Sequence, residues 1–172
     1  HNFFSGYAEM LKHGLISTPE HLAELLAFDT DKIDYVALKS MVGRSVQVKE
    51  EIVEQDPLEH GIRKALNLGH TVGHAFESLA LAEGRPVLHG YAVAWGIVCE
   101  LYLSYIKVGF PKEKMRQTIQ FIKENYGGFA FNCKQYDQLY ELMKHDKKNT
   151  AGAINFTLLK EVGDICLNQT AD

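Results

Sequence analysis

The chain has 172 residues, 46% hydrophobic and 23% charged, with a formal net charge of −4. That length supports one domain burying roughly 70% of its unfolded surface, and the composition excludes a disordered, collagenous or disulfide-scaffold chain. The mild acidity, with basic residues scattered singly or in pairs, argues against a nucleic-acid partner.

The elements read as helix after helix. Phe4, Tyr7, Ala8, Leu11 and Leu15 keep a helical period. Thr18-Pro19-Glu20 is a helix start, with a hydroxyl cap, proline at the first helical position and an acid behind it; that helix runs to about Phe28. Thr30 or Asp31 is expected to cap a long helix through Val53, ended by Asp56-Pro57. A further helix is expected from Glu59 to Leu81, bent near Gly61 if continuous, and Gly84-Arg85-Pro86 is a loop. From His89 the chain is apolar nearly all round to Ile106, so this helix should sit centrally. Its most apolar part, Ala92 to Ile106, is about 15 residues and contains Glu100, whereas a membrane span needs about 20. Helices over Pro111–Asn125 and Gln135–Lys144 follow, and Ala153–Leu159 with Asp164–Leu167 suit two short strands around Gly163. The whole reads as one mainly α, multi-helix domain with a β-hairpin near its C-terminus.

Cys99, Cys133 and Cys166 are odd in number and lack any C-x-x-C pairing. With no signal peptide recognised, they fit reduced thiols in the cytoplasm. No glycine-rich phosphate loop links a strand to a helix, so dinucleotide binding is not expected of this chain by itself.

The chemistry concentrates in Glu59-x-x-x-Arg63-x-x-x-Asn67-x-x-His70-x-x-x-His74. On a continuous helix these steps of three and four would put all five residues on one face. An i, i+4 histidine pair is by itself as compatible with a polar face as with a metal site, and no glutamate follows the first histidine as in zinc proteases. Gly69 and Gly73 each cost about 1 kcal/mol in a helix relative to alanine, which calls for close backbone packing or ligand approach as compensation. His89 opens the apolar helix, where the positive dipole end favours the neutral, metal-binding imidazole; a surface histidine after a loop is the plainer reading. Taken alone, Glu9, Lys12 and His13 read as a solvated face, and His21, His60 and His145 as surface residues. One carboxylate and two imidazoles make a common catalytic zinc set, but spacing alone does not choose among the candidates.

Four blocks resemble the dehydroquinate synthase family, in family order. Ser5-Gly6-Tyr7-Ala8-Glu9-Met10-Leu11-Lys12-His13-Gly14 is similar to its S-G-x-A-E-x-x-K-x-G segment. Lys49, Asp56, Glu59-x-Gly61-x-Arg63 and the run Leu66 to Ala75 resemble its central block. His89-Gly90-Tyr91-Ala92-Val93-Ala94-Trp95-Gly96 and Asp146-Lys147-Lys148 resemble two more.

The resemblance implies that Glu9, His70 and His89 hold zinc, with cobalt or iron also suited to such a set. It implies that His74 contacts substrate phosphate rather than metal. Lys12, Lys49, Arg63 and Asn67 would meet substrate carboxylate and hydroxyls, Asp56 and Glu59 would join the same network, and Lys148, or else Lys147, would reach substrate. The family's substrate is a keto-acid sugar phosphate, 3-deoxy-D-arabino-heptulosonate 7-phosphate, converted to 3-dehydroquinate and phosphate in the shikimate pathway of aromatic amino-acid biosynthesis. NAD is bound mainly by an N-terminal α/β half absent from this chain, so the chain alone is expected to be inactive, with that half as its partner and a homodimer possible. Two rivals remain open. Sister sugar-phosphate cyclases close neutral sugars, for which the Arg63 and Asn67 pair is not needed. A non-catalytic helical module would bind a partner through the face the missing half covers.

Overall fold

The computed structural model describes residues 2–128, 138, 141–143 and 154–171. Among the described residues, α-helices run in chain order over α1 (Asn2–Leu15), α2 (Pro19–Ala27), α3 (Tyr35–Gln55), α4 (His70–Ala82), α5 (His89–Val108) and α6 (Lys112–Tyr126). They are followed by an antiparallel hairpin of β1 (Ile154–Glu161) and β2 (Asp164–Ala171). The mainly α reading with a C-terminal hairpin therefore holds. Most of the helix expected over Gln135–Lys144 lies outside the described residues, which are helical at 138 and 141–143.

The apolar helix α5 is the hub, packing against α1, α4, α6 and β1. Tyr7, Leu11 and Leu15 of α1, Ile97 and Leu101 of α5, and Ile122 of α6 are almost wholly buried in the larger core. Each such aliphatic side chain contributes roughly 2 kcal/mol of transfer free energy. A second cluster joins Val72, Phe76 and Leu79 of α4 to Ala92 of α5 and to Phe156 and Leu158 of β1. The helix α5 is long and apolar enough to cross a membrane, but its apolar side chains complete these two cores. The hairpin turn is tied to the end of α1, where Gly163 N donates to Leu15 O (2.9 Å).

Thr18 caps α2 as expected, its hydroxyl accepting from His21 N (3.2 Å). The start of α3 differs from expectation. Asp34, not Thr30 or Asp31, accepts from Val36 N and Ala37 N, because the chain through 28–33 stays irregular. Asp29 meanwhile accepts from the backbone N–H groups of Asp31 and Lys32.

The larger difference is in the chemical stripe. No continuous helix carries Glu59 to His74. Glu59 itself has φ +57, Ile62–Asn67 form a 3-10 helix, and Gly69 at φ +82 starts α4 afresh. The break is steric in origin. A Cβ on Gly69 would lie 2.7 Å from Ile97 Cγ1 and 3.0 Å from Val93 O, and one on Gly73 would lie 3.0 Å from Ala92 O. Of the two compensations expected for these glycines, the structure shows close packing against the backbone of α5.

Candidate metal and substrate site

Three elements meet at the site. The helix α1 brings Glu9 and Lys12, α4 brings His70 and His74, and α5 begins with His89. The start of α5 is docked onto α1 through Gly90 N, which donates to Ser5 Oγ (3.0 Å). A side chain at 90 would collide with Ser5, so the two sequence blocks that share this junction are sterically matched.

His70, His74 and His89 offer ring nitrogens all within 4.8 Å of one another. Their ring centroids are 5.2 to 5.8 Å apart. His70 Nδ1 bonds to Leu68 O at 3.2 Å; a carbonyl only accepts, so Nδ1 carries the proton and Nε2 presents its lone pair. That Nε2 is 3.9 Å from Glu9 Oε1. Burial, reinforced by the Lys12 charge, pushes the His70 imidazole down to about 4, so at neutral pH no second proton fills the gap. For Glu9, burial works to raise the pKa, but the Lys12 ammonium and the nearby histidines outweigh it and hold the carboxyl below its ordinary value. A lone pair and a carboxylate oxygen thus face each other, the arrangement that a divalent cation would satisfy. The donor set fits such an ion, with Glu9, His70, His74 and His89 as candidates.

Glu77 was not singled out from the sequence. Its Oε1 lies 3.1 Å from His89 Nδ1. Its spacing carried the signal, since His70, His74 and Glu77 follow steps of four and three on α4.

Lys12 and His13 are only 5% and 7% exposed, which overturns the reading of a solvated face. Lys12 Nζ is 2.5 Å from Glu9 Oε2. His13 Nδ1 shares a 2.5 Å hydrogen bond with Ser45 Oγ of α3. His21, expected at the surface, is also buried, with neither ring nitrogen hydrogen-bonded, because the packing of α2 turns it inward. His60 is exposed as expected, and His145 lies outside the described residues.

Burial, followed by the Lys12 charge, pushes His13 down to about 4. The folded chain therefore prefers the neutral ring, and the stability this confers is present above the unfolded pKa and lost as pH falls from about 6.5 toward 4. In urea titrations of the metal-free chain, His13→Gln is expected to lose about 2 kcal/mol less than wild type between pH 7 and pH 5. Equal losses in both proteins would refute the assignment to His13.

The remaining candidates spread around this centre. Lys49 lines a cleft of about 820 Å³ between α1 and α3, with Glu9, His13 and Ser45. Glu59 and Asn67 line a smaller cavity of about 210 Å³ against the hairpin, with Lys64, Thr71, Asn155 and Asn168. The Asp56 carboxylate accepts from the backbone N–H groups of His60, Gly61 and Arg63, and these bonds hold it below the usual carboxylate range. Arg63 Nη1 donates to Pro57 O (2.8 Å). Lys147 and Lys148 lie outside the described residues.

The chain is 62% identical over 169 residues to a 3-dehydroquinate synthase from Parabacteroides distasonis, covering 98% of this chain and 48% of that protein. It is 41% identical to a 3-dehydroquinate synthase from Oceanobacillus iheyensis, covering 95% and 45%. The chain thus spans about half the length of the curated relatives it matches. Among solved structures, a 2-deoxy-scyllo-inosose synthase complexed with carbaglucose-6-phosphate, NAD+ and Co2+ superposes with TM-score 0.74 at 22% identity, over 97% of this chain and 46% of that one. A 2-epi-5-epi-valiolone synthase from Streptomyces hygroscopicus with NAD+ and Zn2+ bound gives 0.73 at 21%, over 98% and 47%. These two show the fold. The family described as 3-dehydroquinate synthase C-terminal matches residues 6–149, more than half of the sequence, and the chain belongs to that family.

Proposed function

We propose that this chain is the metal- and substrate-binding half of a cytoplasmic 3-dehydroquinate synthase, inactive until joined to an NAD-binding half. The observation that carries the reading is the gathering of His70, His74 and His89 from two separate sequence blocks, with Glu9 Oε1 of a third block 3.9 Å from His70 Nε2 and the buried Lys12 beside Glu9.

In this reading Glu9, His70 and His89 hold zinc, or cobalt in its place, and His74 is left for the substrate phosphate. A bound divalent ion supplies Lewis acidity at a substrate hydroxyl, and the nicotinamide of the other half supplies reversible hydride transfer. The chain's own residues bind and orient. Lys49, lining the α1–α3 cleft, and Lys12, beside Glu9, provide cations for the carboxylate and hydroxyls of the heptulosonate phosphate. Asn67 provides an amide for a hydroxyl, and Arg63 a guanidinium for the carboxylate once substrate displaces its contact with Pro57 O. Asp56 acts by shaping the loop that carries Arg63, and Glu59 and Lys148 complete the network. Phosphate leaves, and an internal aldol closure gives the carbocycle with no net oxidation.

Glu77 orients His89 in this scheme. Accepting from Nδ1–H, it leaves Nε2 for the ion, as carboxylates behind metal-bound histidines do. Glu77→Gln is expected to weaken zinc affinity about tenfold by chelator competition, with unfolding unchanged. An unaltered affinity would remove Glu77 from the site.

The function itself is tested by grafting this chain onto the N-terminal half of the Parabacteroides distasonis relative. Phosphate and 3-dehydroquinate released from heptulosonate phosphate by the chimera, but not by the chain alone, is the expected result. Turnover of neutral sugar phosphates instead would favour a sister cyclase. Turnover by the isolated chain would overturn the two-half reading.

A further inference from the structure

Glu100 sits in the middle of α5, its side chain wholly buried, and nothing in the reaction uses it. Withdrawing a carboxylate from water is costly unless its oxygens find partners. Here both do. Oε1 accepts from Gly69 N (3.1 Å) and Oε2 from Val72 N (3.2 Å). These two N–H groups flank His70 in the first turn of α4. Burial still pushes the carboxyl up to about 8, against the two N–H bonds, which lower it.

The arrangement has a steric origin. The first N–H groups of a helix have no partner within the helix and are ordinarily capped by Ser, Thr, Asp or Asn just before it. Position 69 cannot carry such a residue. Its φ is +82, and a Cβ there would press on Ile97 Cγ1 and Val93 O. The acceptor must come from elsewhere, and the helix that forbids a side chain at 69 supplies it. The same α5 residue is anchored in turn: Ser104 Oγ donates to Glu100 O (2.7 Å) and accepts from Leu159 N (3.0 Å). The start of α4 is thereby locked to the helix whose first residue is His89.

We infer that Glu100 is a positioning residue for the metal site, capping α4 from α5 so that His70 and His89 are held in one fixed relation. The inference rests on the reading of His70 and His89 as ligands. A carboxyl at 100 supplies two acceptors aimed at two backbone donors, whereas a glutamine would turn its NH2 toward one of them.

The test measures zinc affinity by chelator competition, and the visible absorption of the cobalt-loaded protein, for wild type, Glu100→Gln and Glu100→Asp. An Ile122→Ala variant, in the core of α6, serves as a control for lost stability alone. Expected are folded Glu100 variants by circular dichroism, zinc affinity weakened at least about tenfold in Glu100→Gln, and altered cobalt bands. The control should keep both wild-type affinity and bands. Should Glu100→Gln fail to fold, Glu100→Asp, which keeps the carboxyl but one carbon short, carries the comparison. Wild-type affinity and bands in the folded Glu100 variants would overturn the positioning role while leaving the ligands intact. A wild-type chain that binds neither metal would instead overturn the ligand reading beneath it.

Discussion

Replacing His70 with alanine is expected to weaken zinc binding by a hundredfold to a thousandfold. Zinc bound by four protein donors releases on the order of 10–16 kcal/mol, so one donor accounts for roughly 3 kcal/mol. His70 should stand near the top of that range. It is more enclosed than His89, its Nδ1 is fixed on Leu68 O, and its neutral form is favoured by burial. His74→Ala separates two readings of the same cluster. If His74 serves substrate phosphate, its removal should cost zinc affinity less than about tenfold and be felt by the phosphate-bearing substrate in the chimera. Equal zinc losses in the His70 and His74 variants would make the site a three-histidine centre and displace the phosphate assignment. Chelator competition with a zinc indicator measures both.

Gly96→Ala is expected to damage the fold severely. A Cβ at 96 would land on Gly69 O and on Gly73 N, both backbone atoms of the α4 start that no side-chain rotation can move. Overpacking at such a contact should cost about 3 kcal/mol or more, lowering the melting temperature by roughly 6–12 °C for a chain of this size. Because the collision is with the residues flanking His70, zinc binding should fall with it. Gly43 supplies the contrast. It lies within α3 with open space where its Cβ would be, so Gly43→Ala should stabilise by about 0.5–1 kcal/mol. Urea denaturation of the two variants checks both signs, and a harmless Gly96→Ala would show that α4 and α5 are not packed backbone to backbone.

These two positions show where reading along the chain goes astray. Helical spacing through Glu59, Arg63, Asn67, His70 and His74 suggests a single face, because periodicity records intervals and is blind to a left-handed residue between them. Gly69 is conformationally free in the sequence, and only the backbone of α5 against it shows that the chain must turn there. The five residues consequently divide. His70 and His74 meet His89, while Glu59 and Asn67 line the cavity against the hairpin. Lys12, His13 and His21 escape a reading along the chain for a related reason. A polar residue on an amphipathic helix is assigned to solvent unless a second element is known to cover it, and here the packing of α1, α2 and α3 does so.

What the sequence by itself determined was local or block-like. The cap of α2, the central apolar helix, the terminal hairpin and the membership carried by the four motif blocks all depend on residues near one another in the chain. A helix period, a capping hydroxyl or a glycine between two short apolar runs acts over a few residues, so it is legible there. What only the tertiary structure decided was convergence across long separations. Glu9 meets His70 from 61 positions away, Glu77 backs His89, and Glu100 caps a helix that begins 30 residues earlier. Each of these contacts depends on how closely α5 lies against α1 and α4. That spacing is set by glycines meeting backbone, a pairwise steric fact that belongs to neither segment alone.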